Sequence, residues 1–190
     1  MRAASLGGSI LGVCAEDKVI IATGHPAESS PSLRAYPVER TWRFDDDLSV
    51  SVVGLMADAH IVADYAYDRL DDHRLAFGTS PPPRRLADAI ADAMTAAARQ
   101  SRPLGVHVVV AGRGGLWHVD PGGRLRQFQA LAVGNQADAL VRDLAKHLEA
   151  AGPLDEATAA ALLRRAWRDA LVDSDAPSDT SPPPLDVTTL

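Results

Sequence analysis

The stretch GSILGVCAEDKVIIATG, residues 8–24, decides the fold. Its two apolar runs, 9–14 and 19–23, flank the polar break Ala15-Glu16-Asp17-Lys18. Short apolar runs on either side of a polar break are typical of strands joined by a tight turn. We therefore predict a β-hairpin over these two runs.

Further strands are predicted along the chain. Residues 41–44 and 48–54 flank Asp45-Asp46-Asp47, which we interpret as a turn in preference to a metal site. Residues 106–111 form an apolar run interrupted only by His107, as expected for a strand covered on both faces. The remaining predicted strands are 116–119, 126–133 and 185–190, with turns at 112–115 and 120–123.

Four amphipathic helices are predicted, in two pairs. The first pair covers 57–77, which ends at Gly78, and 83–100, which Pro83 opens. The second pair begins near Asn135 and is interrupted by Gly152-Pro153. The apolar positions that define the helices recur at intervals of four residues: Ile61 and Tyr65; Leu86, Ile90 and Met94; Leu140, Leu144 and Leu148; Leu163, Trp167 and Leu171.

The order of the elements is strands, two helices, strands, two helices. This α+β order suggests four layers, with two sheets between two helix pairs, but periodicity alone leaves an ordinary two-layer α+β fold open. We treat 1–190 as one domain with a core at about 8–171. The Ser-, Asp- and Pro-rich segment 173–184 is predicted to be mobile.

Composition excludes several classes of protein. The net charge is -6 and the Lys and Arg residues form no basic run, which argues against nucleic-acid binding. Cys14 is the only cysteine, so there is neither an intrachain disulfide nor a multi-cysteine metal site. No apolar run reaches the length of a membrane span or a secretory signal. We expect a soluble intracellular protein without a cofactor.

Six fragments, in family order and with family spacing, resemble α-type subunits of the 20S proteasome. They begin with the hairpin itself. The others are GLMADA at 54–59, HRL at 73–75 before Gly78 and Pro81-Pro82-Pro83, RPLGV at 102–106 before Ala111-Gly112, DPGG at 120–123 and AVGN at 132–135. The resemblance implies a four-layer αββα sandwich of two antiparallel sheets flanked by helix pairs. It also implies a structural subunit of the outer seven-membered ring, which gates entry and docks activators in ubiquitin-dependent protein degradation.

The implied partners are other proteasome α and β subunits and an activator or regulatory particle, with no nucleic acid and no membrane. The implied location is the cytoplasm and nucleus in a eukaryote, or the cytoplasm in an archaeon. Family α subunits carry an N-terminal gate segment with a Tyr-Asp-Arg motif and a further C-terminal helix. Neither segment is found here, so we expect both to be missing.

The resemblance also implies that the subunit is not catalytic. Related β subunits use an N-terminal Thr whose hydroxyl attacks while its free amine serves as base. Aligning the hairpins places Gly8 at the Thr position, Gly24 at that of a supporting acid, Arg40 at that of a Lys and Asn135 near that of a Ser. None of the four supplies the catalytic group, so the predicted set of catalytic residues is empty.

Arg40 has a second possible role. In the family a Lys at this position lines the pocket between adjacent α subunits and receives an activator's C-terminal carboxylate, and Arg can bind carboxylate in a bidentate manner. The alternative is an exposed Arg without a partner. Sequence leaves the two evenly balanced.

Other candidates for chemistry are weaker. Ser9 is the nearest hydroxyl to the Thr position, and a self-standing N-terminal-nucleophile hydrolase is therefore the competing function; a non-functional gene remnant is a third. His60 and Asp64 share a helix face without a third metal ligand, and we predict no metal site. Gly112-Arg113-Gly114-Gly115 lacks the ending of a phosphate loop, and we expect a packed thiol at Cys14.

Overall fold

The computed structural model describes residues 8–24, 39–151, 154–172 and 185–190. The elements in chain order are β1 Ser9–Ala15, β2 Lys18–Gly24, β3 Thr41–Asp45, β4 Leu48–Gly54, α1 Met56–Phe77, α2 Pro83–Gln100, β5 Val106–Gly112, β6 Gly115–Val119, β7 Leu125–Phe128, β8 Ala130–Gly134, α3 Ala137–Ala151, α4 Glu156–Val172 and β9 Leu185–Thr189. The predicted mobile segment 173–184 and the predicted break Gly152-Pro153 lie outside the described residues.

The strands form two antiparallel sheets. One has the order β8-β1-β2-β9 and the other the order β3-β4-β5-β6-β7. Helices α1 and α2 cover the five-stranded sheet, and α3 and α4 cover the four-stranded sheet. The predicted αββα sandwich is thus confirmed, and the two-layer alternative is wrong.

Three apolar layers hold the sandwich together, one under each helix pair and one between the sheets. Because side chains alternate along a strand, a central strand has to supply apolar residues to both of its faces. Leu11 and Val13 of β1 face α3 and α4, whereas Ile10 faces the other sheet. The same alternation separates Val108 from Val109 in β5, which explains its continuous apolar run.

One predicted strand is wrong in its extent. Residues 126–133 were expected to form a single strand, but β7 belongs to the five-stranded sheet and β8 to the four-stranded sheet. The chain crosses from one sheet to the other at Gln129, whose carbonyl accepts a hydrogen bond from the backbone N–H of Cys14 at 2.7 Å. No Gly or Pro stands within 126–133 to mark the crossing, so the sequence pattern does not reveal it.

The turns and the surface agree with the remaining predictions. The acidic triplet ends β3 and turns into β4, and Gly112 pairs with Gly115 to close the β5–β6 hairpin. The apolar face of α2 is buried in the chain's own core through Leu86, Ile90 and Met94. Within the described ranges, no helix combines the length and hydropathy that a bilayer crossing requires.

Candidate functional site at the mouth of the sandwich

The four positions aligned with the catalytic groups of β subunits lie at one end of the sandwich, which we call the mouth. The backbone N–H of Asn135 donates to the carbonyl of Gly8 at 2.9 Å, and Ser9 pairs with Gly24 across β1 and β2. Arg40 reaches the same end because the residue after it, Thr41, bonds to Thr23 of β2. The structure therefore brings together positions spread over 128 residues of sequence, from Gly8 to Asn135.

Ser9 is held in a structural hydrogen bond. Its side chain is only 1% exposed, and its Oγ donates to the carbonyl oxygen of Asn135 at 2.6 Å. Gly8 precedes Ser9, so the nitrogen of Ser9 is a peptide nitrogen and not a free amine that could serve as base. The backbone carbonyl that accepts the hydrogen bond from the hydroxyl cannot serve as base either. The Ser9 hydroxyl is therefore expected to stabilise the junction between β1 and β8.

The position of the supporting acid is filled by an aromatic ring. A Cβ placed on Gly24 would lie 2.3 Å from Cη2 of Trp167, which is a buried residue of α4. Real Cβ atoms do not approach other atoms so closely, so even an alanine would displace the indole. Gly24 thus lets α4 pack directly on the strand at the mouth.

Arg40 is buried at the mouth, not exposed. It is 8% exposed, and its Nε and Nη1 atoms are enclosed without a hydrogen-bond partner among the described residues. Burial lowers the pKa of its guanidinium from the usual range. A buried cation with unsatisfied donors is costly unless an anion or a carbonyl group meets it. The described residues leave these donors without an acceptor.

A chain of hydroxyl groups, which the sequence analysis missed, lies beside Arg40. The Oγ1 atoms of Thr23 and Thr41 are 3.0 Å apart, and Oγ1 of Thr41 is 2.8 Å from Oγ of Ser51. Thr23 belongs to one sheet, and Thr41 and Ser51 belong to the other, so this series of hydroxyl groups joins the two sheets at the mouth. Polar residues inside predicted strands were the available signal for it.

Of the six histidines, two meet in space. His107 of β5 and His118 of β6 are hydrogen-bonded to each other at 3.0 Å, whereas His25 lies outside the described residues. His60 packs edge-on against Trp42, with ring centroids 6.0 Å apart. In the described ranges, no group of three or more His, Cys, Asp or Glu side chains is arranged to hold a metal ion.

Cys14 is a half-buried thiol at the end opposite the mouth. Its Sγ donates to the carbonyl oxygen of Phe128 at 3.7 Å, and burial raises the pKa of the thiol. Both features favour the unreactive, packed form that the sequence predicted. The thiol borders an open cleft of about 680 Å³ between the β1–β2 turn and the β5–β6 turn.

Comparison with known proteins gives a consistent family. A model described as "Proteasome subunit" matches residues 4–179. A protein named proteasome subunit alpha from Aeropyrum pernix is 29% identical over 168 residues, which are 85% of this chain and 65% of that protein. Its counterpart from Methanocaldococcus jannaschii is 28% identical over 156 residues, 79% of this chain and 59% of that protein.

A eukaryotic relative shows the same likeness. A probable proteasome subunit alpha type-5 from Schizosaccharomyces pombe is 24% identical over 169 residues, 83% of this chain and 68% of that protein. The chain spans about two thirds of the length of these relatives. Sequence, fold and relatives agree that the chain belongs to the proteasome subunit family, as a subunit of the α type.

Proposed function

We propose that this chain is a non-catalytic component of the outer ring of a 20S proteasome core, where it assembles with other α and β subunits. The observation that carries the proposal is the state of Ser9, whose hydroxyl is the nearest to the position of the catalytic Thr. It is buried, and it donates to a backbone carbonyl that cannot act as a base. The relatives named as α subunits favour the same role.

Assembly and catalysis are tested separately. Native mass spectrometry of the endogenous complex should give a mass of at least seven subunits, and an acylating active-site probe should leave this chain unlabelled. A processed chain that begins at Ser9 and is labelled by the probe would instead establish the competing hydrolase. Failure to join any ring would favour a gene remnant.

We also propose that Arg40 receives the C-terminal carboxylate of an activator and so contributes to docking and gating. Two unpartnered nitrogen atoms of the guanidinium support this role, because a carboxylate would satisfy both charge and hydrogen bonds. Both atoms are enclosed, so binding requires the residues around Arg40 to move aside. The neighbouring Thr23–Thr41 contact holds the strand that carries it.

The docking test uses a peptide with the activator's C-terminal sequence, either with a free carboxylate or amidated. Arg40→Ala should weaken binding of the free acid by about tenfold or more, as expected for a hydrogen-bonded charged group, and leave the amide unaffected. Arg43→Ala is the matched control, because Arg43 is exposed three residues further along. Equal affinity of wild type and Arg40→Ala for the free acid would rule the role out.

We further propose a location in the cytoplasm, and also in the nucleus if the source is eukaryotic. Fluorescence microscopy of the tagged endogenous protein tests this location. Retention in a membrane or secretory compartment would contradict it.

A further inference from the structure

The His107–His118 pair is a second polar feature between the sheets. Nδ1 of His107 and Nε2 of His118 are 3.0 Å apart, and the rings stack at 24° with centroids 5.2 Å apart. Strand alternation places both rings on the face that carries Val109 and Leu116, which is the face toward the other sheet. The ring of Phe128 lies 6.1 Å from that of His118 and packs against the same layer.

The hydrogen bond between the rings contains a single proton, which lies between Nδ1 of His107 and Nε2 of His118. In either tautomer one of the two facing nitrogens donates and the other accepts. A first added proton can enter at an outward nitrogen and leave the bond intact. A second added proton has to bind the accepting nitrogen. Two N–H groups then face each other, and both adjacent rings are positively charged.

Few charges surround the pair. The strand register places Asp120 opposite His107, and Arg126 of β7 lies opposite His118. Oδ1 of Asp120 already accepts from the backbone N–H groups of Gly122 and Arg124. Val53 of β4 lies opposite His107, and strands β1 and β8 of the facing sheet contain no charged residue.

The pair also lies near the mouth. Val53, the cross-strand partner of His107, is in turn close to Gly134 of β8: a Cβ on Gly134 would be 3.1 Å from Cγ2 of Val53. Gly134 precedes Asn135, which bonds to Gly8 and Ser9. A change in the pair therefore acts on the end of the sandwich where β8 meets the first strand.

We propose that His107 and His118 form a one-proton latch, closed at neutral pH, whose double protonation loosens the sheet interface at the mouth. Burial lowers the pKa of His107, while Asp120 acts in the opposite direction. Burial, and then the proximity of His107, lower the pKa of His118 to about 4. Both values lie below the value of about 6.5 for an unfolded chain. The latch therefore stabilises the fold above that pH, and its contribution is lost as the pH falls toward 4.

The test compares the pH dependence of unfolding in the full chain. In His118→Gln the side-chain oxygen can still accept a bond from His107 but cannot take a proton. Between pH 6.5 and 4 the folding equilibrium constant of wild type should fall up to about tenfold more per pH unit than that of His118→Gln. His60→Gln, a control at an exposed position, should follow wild type. Equal slopes for wild type and His118→Gln would overturn the proposal.

A second measurement needs no variant. Titration of the wild-type imidazole signals by NMR should give His118 a midpoint below pH 5, and a midpoint near 6.5 would overturn the latch. Hydrogen exchange, corrected for its intrinsic pH dependence, should show the amides of β6 opening on acidification before those of β2. Simultaneous opening of both strands would show global unfolding and contradict a local device.

Discussion

Two buried charged side chains, Asp58 and Arg40, differ in the hydrogen bonds that the fold provides for them. Asp58 of α1 is 1% exposed and accepts hydrogen bonds from Arg102 Nη1 at 2.8 Å, Arg102 Nη2 at 2.7 Å and the backbone N–H of Gly105 at 2.7 Å. Arg40 is 8% exposed, and its Nε and Nη1 atoms find no partner in the described part of the chain. The first charge is satisfied by the fold, whereas two donors of the second are left without a partner.

Asp58 connects parts that are far apart in sequence. It lies in the first turn of α1, and its partners Arg102 and Gly105 precede β5. Through these bonds the start of a helix is fixed to the entry of the central strand of the five-stranded sheet. The GLMADA and RPLGV fragments that revealed the family therefore meet in space and support each other.

The largest expected effect is that of breaking this junction. Asp58→Ala should lower the free energy of unfolding by about 3 kcal/mol, because it removes a buried charge from its partners and leaves the Gly105 N–H unsatisfied. Urea unfolding measures it. Asp64→Ala, on the exposed face of the same helix, should change stability by less than about 0.5 kcal/mol. A similar small loss for Asp58→Ala would contradict the structural role.

Acid should weaken the same junction. The hydrogen bonds from Arg102 lower the pKa of Asp58 below its usual value near 3.9. A carboxylate with a lowered pKa stabilises the fold above its unfolded value, and this contribution is lost as the pH falls through the folded value. Below about pH 4 the stability of wild type should therefore fall more steeply than that of Asp58→Asn. Parallel curves in acid unfolding would show that Asp58 does not contribute.

The hydroxyl chain at the mouth should matter less. Thr41→Val keeps the shape of the side chain but leaves the hydroxyls of Thr23 and Ser51 without their shared partner, at a cost of about 1 to 2 kcal/mol. Urea unfolding again gives the value. Thr79→Val, at an exposed position after α1, is the control and should be nearly neutral. If Thr41→Val left the free energy of unfolding unchanged, the hydroxyl groups would not contribute to joining the sheets.

Removal of the unsatisfied charge should have the smallest effect, with the opposite sign. Arg40→Met retains much of the volume and removes the cost of burying a cation, so the free energy of unfolding should be unchanged or rise by about 1 kcal/mol. Arg43→Met, at the exposed position in β3, serves as the control. A loss of about 2 kcal/mol or more would show that Arg40 is satisfied within the folded chain and weaken its proposed role as a receptor for carboxylate.

Residue patterns predicted most of the elements because each reflects a local preference. Helix α2 could be read from Leu86, Ile90 and Met94, and Pro83 marked its start. The crossing at Gln129 could not be read, because both halves of 126–133 have the composition of a strand and only their hydrogen-bond partners differ. Alignment of the first hairpin gathered Gly8, Gly24, Arg40 and Asn135 as one set of positions, and the structure places all four at the mouth.

What the alignment could not supply was the environment of those positions. Sequence left open whether Arg40 lines a pocket or lies exposed, and it gave no sign that the side chain is buried. Sequence gave no sign that Trp167 fills the space beside Gly24, or that the rings of His107 and His118 lie within hydrogen-bonding distance. These contacts join residues separated by many positions, and no local pattern encodes such distances.

The sequence by itself determined the order of the elements, the apolar faces that pack them and the family to which the chain belongs, because these depend on local periodicity and short motifs. Only the tertiary structure decided which strands share a sheet and which polar groups are satisfied. Burial and hydrogen bonding depend on what the rest of the chain places beside a residue. That is why Asp58 and Arg40, both charged and both buried, have opposite expected effects on stability.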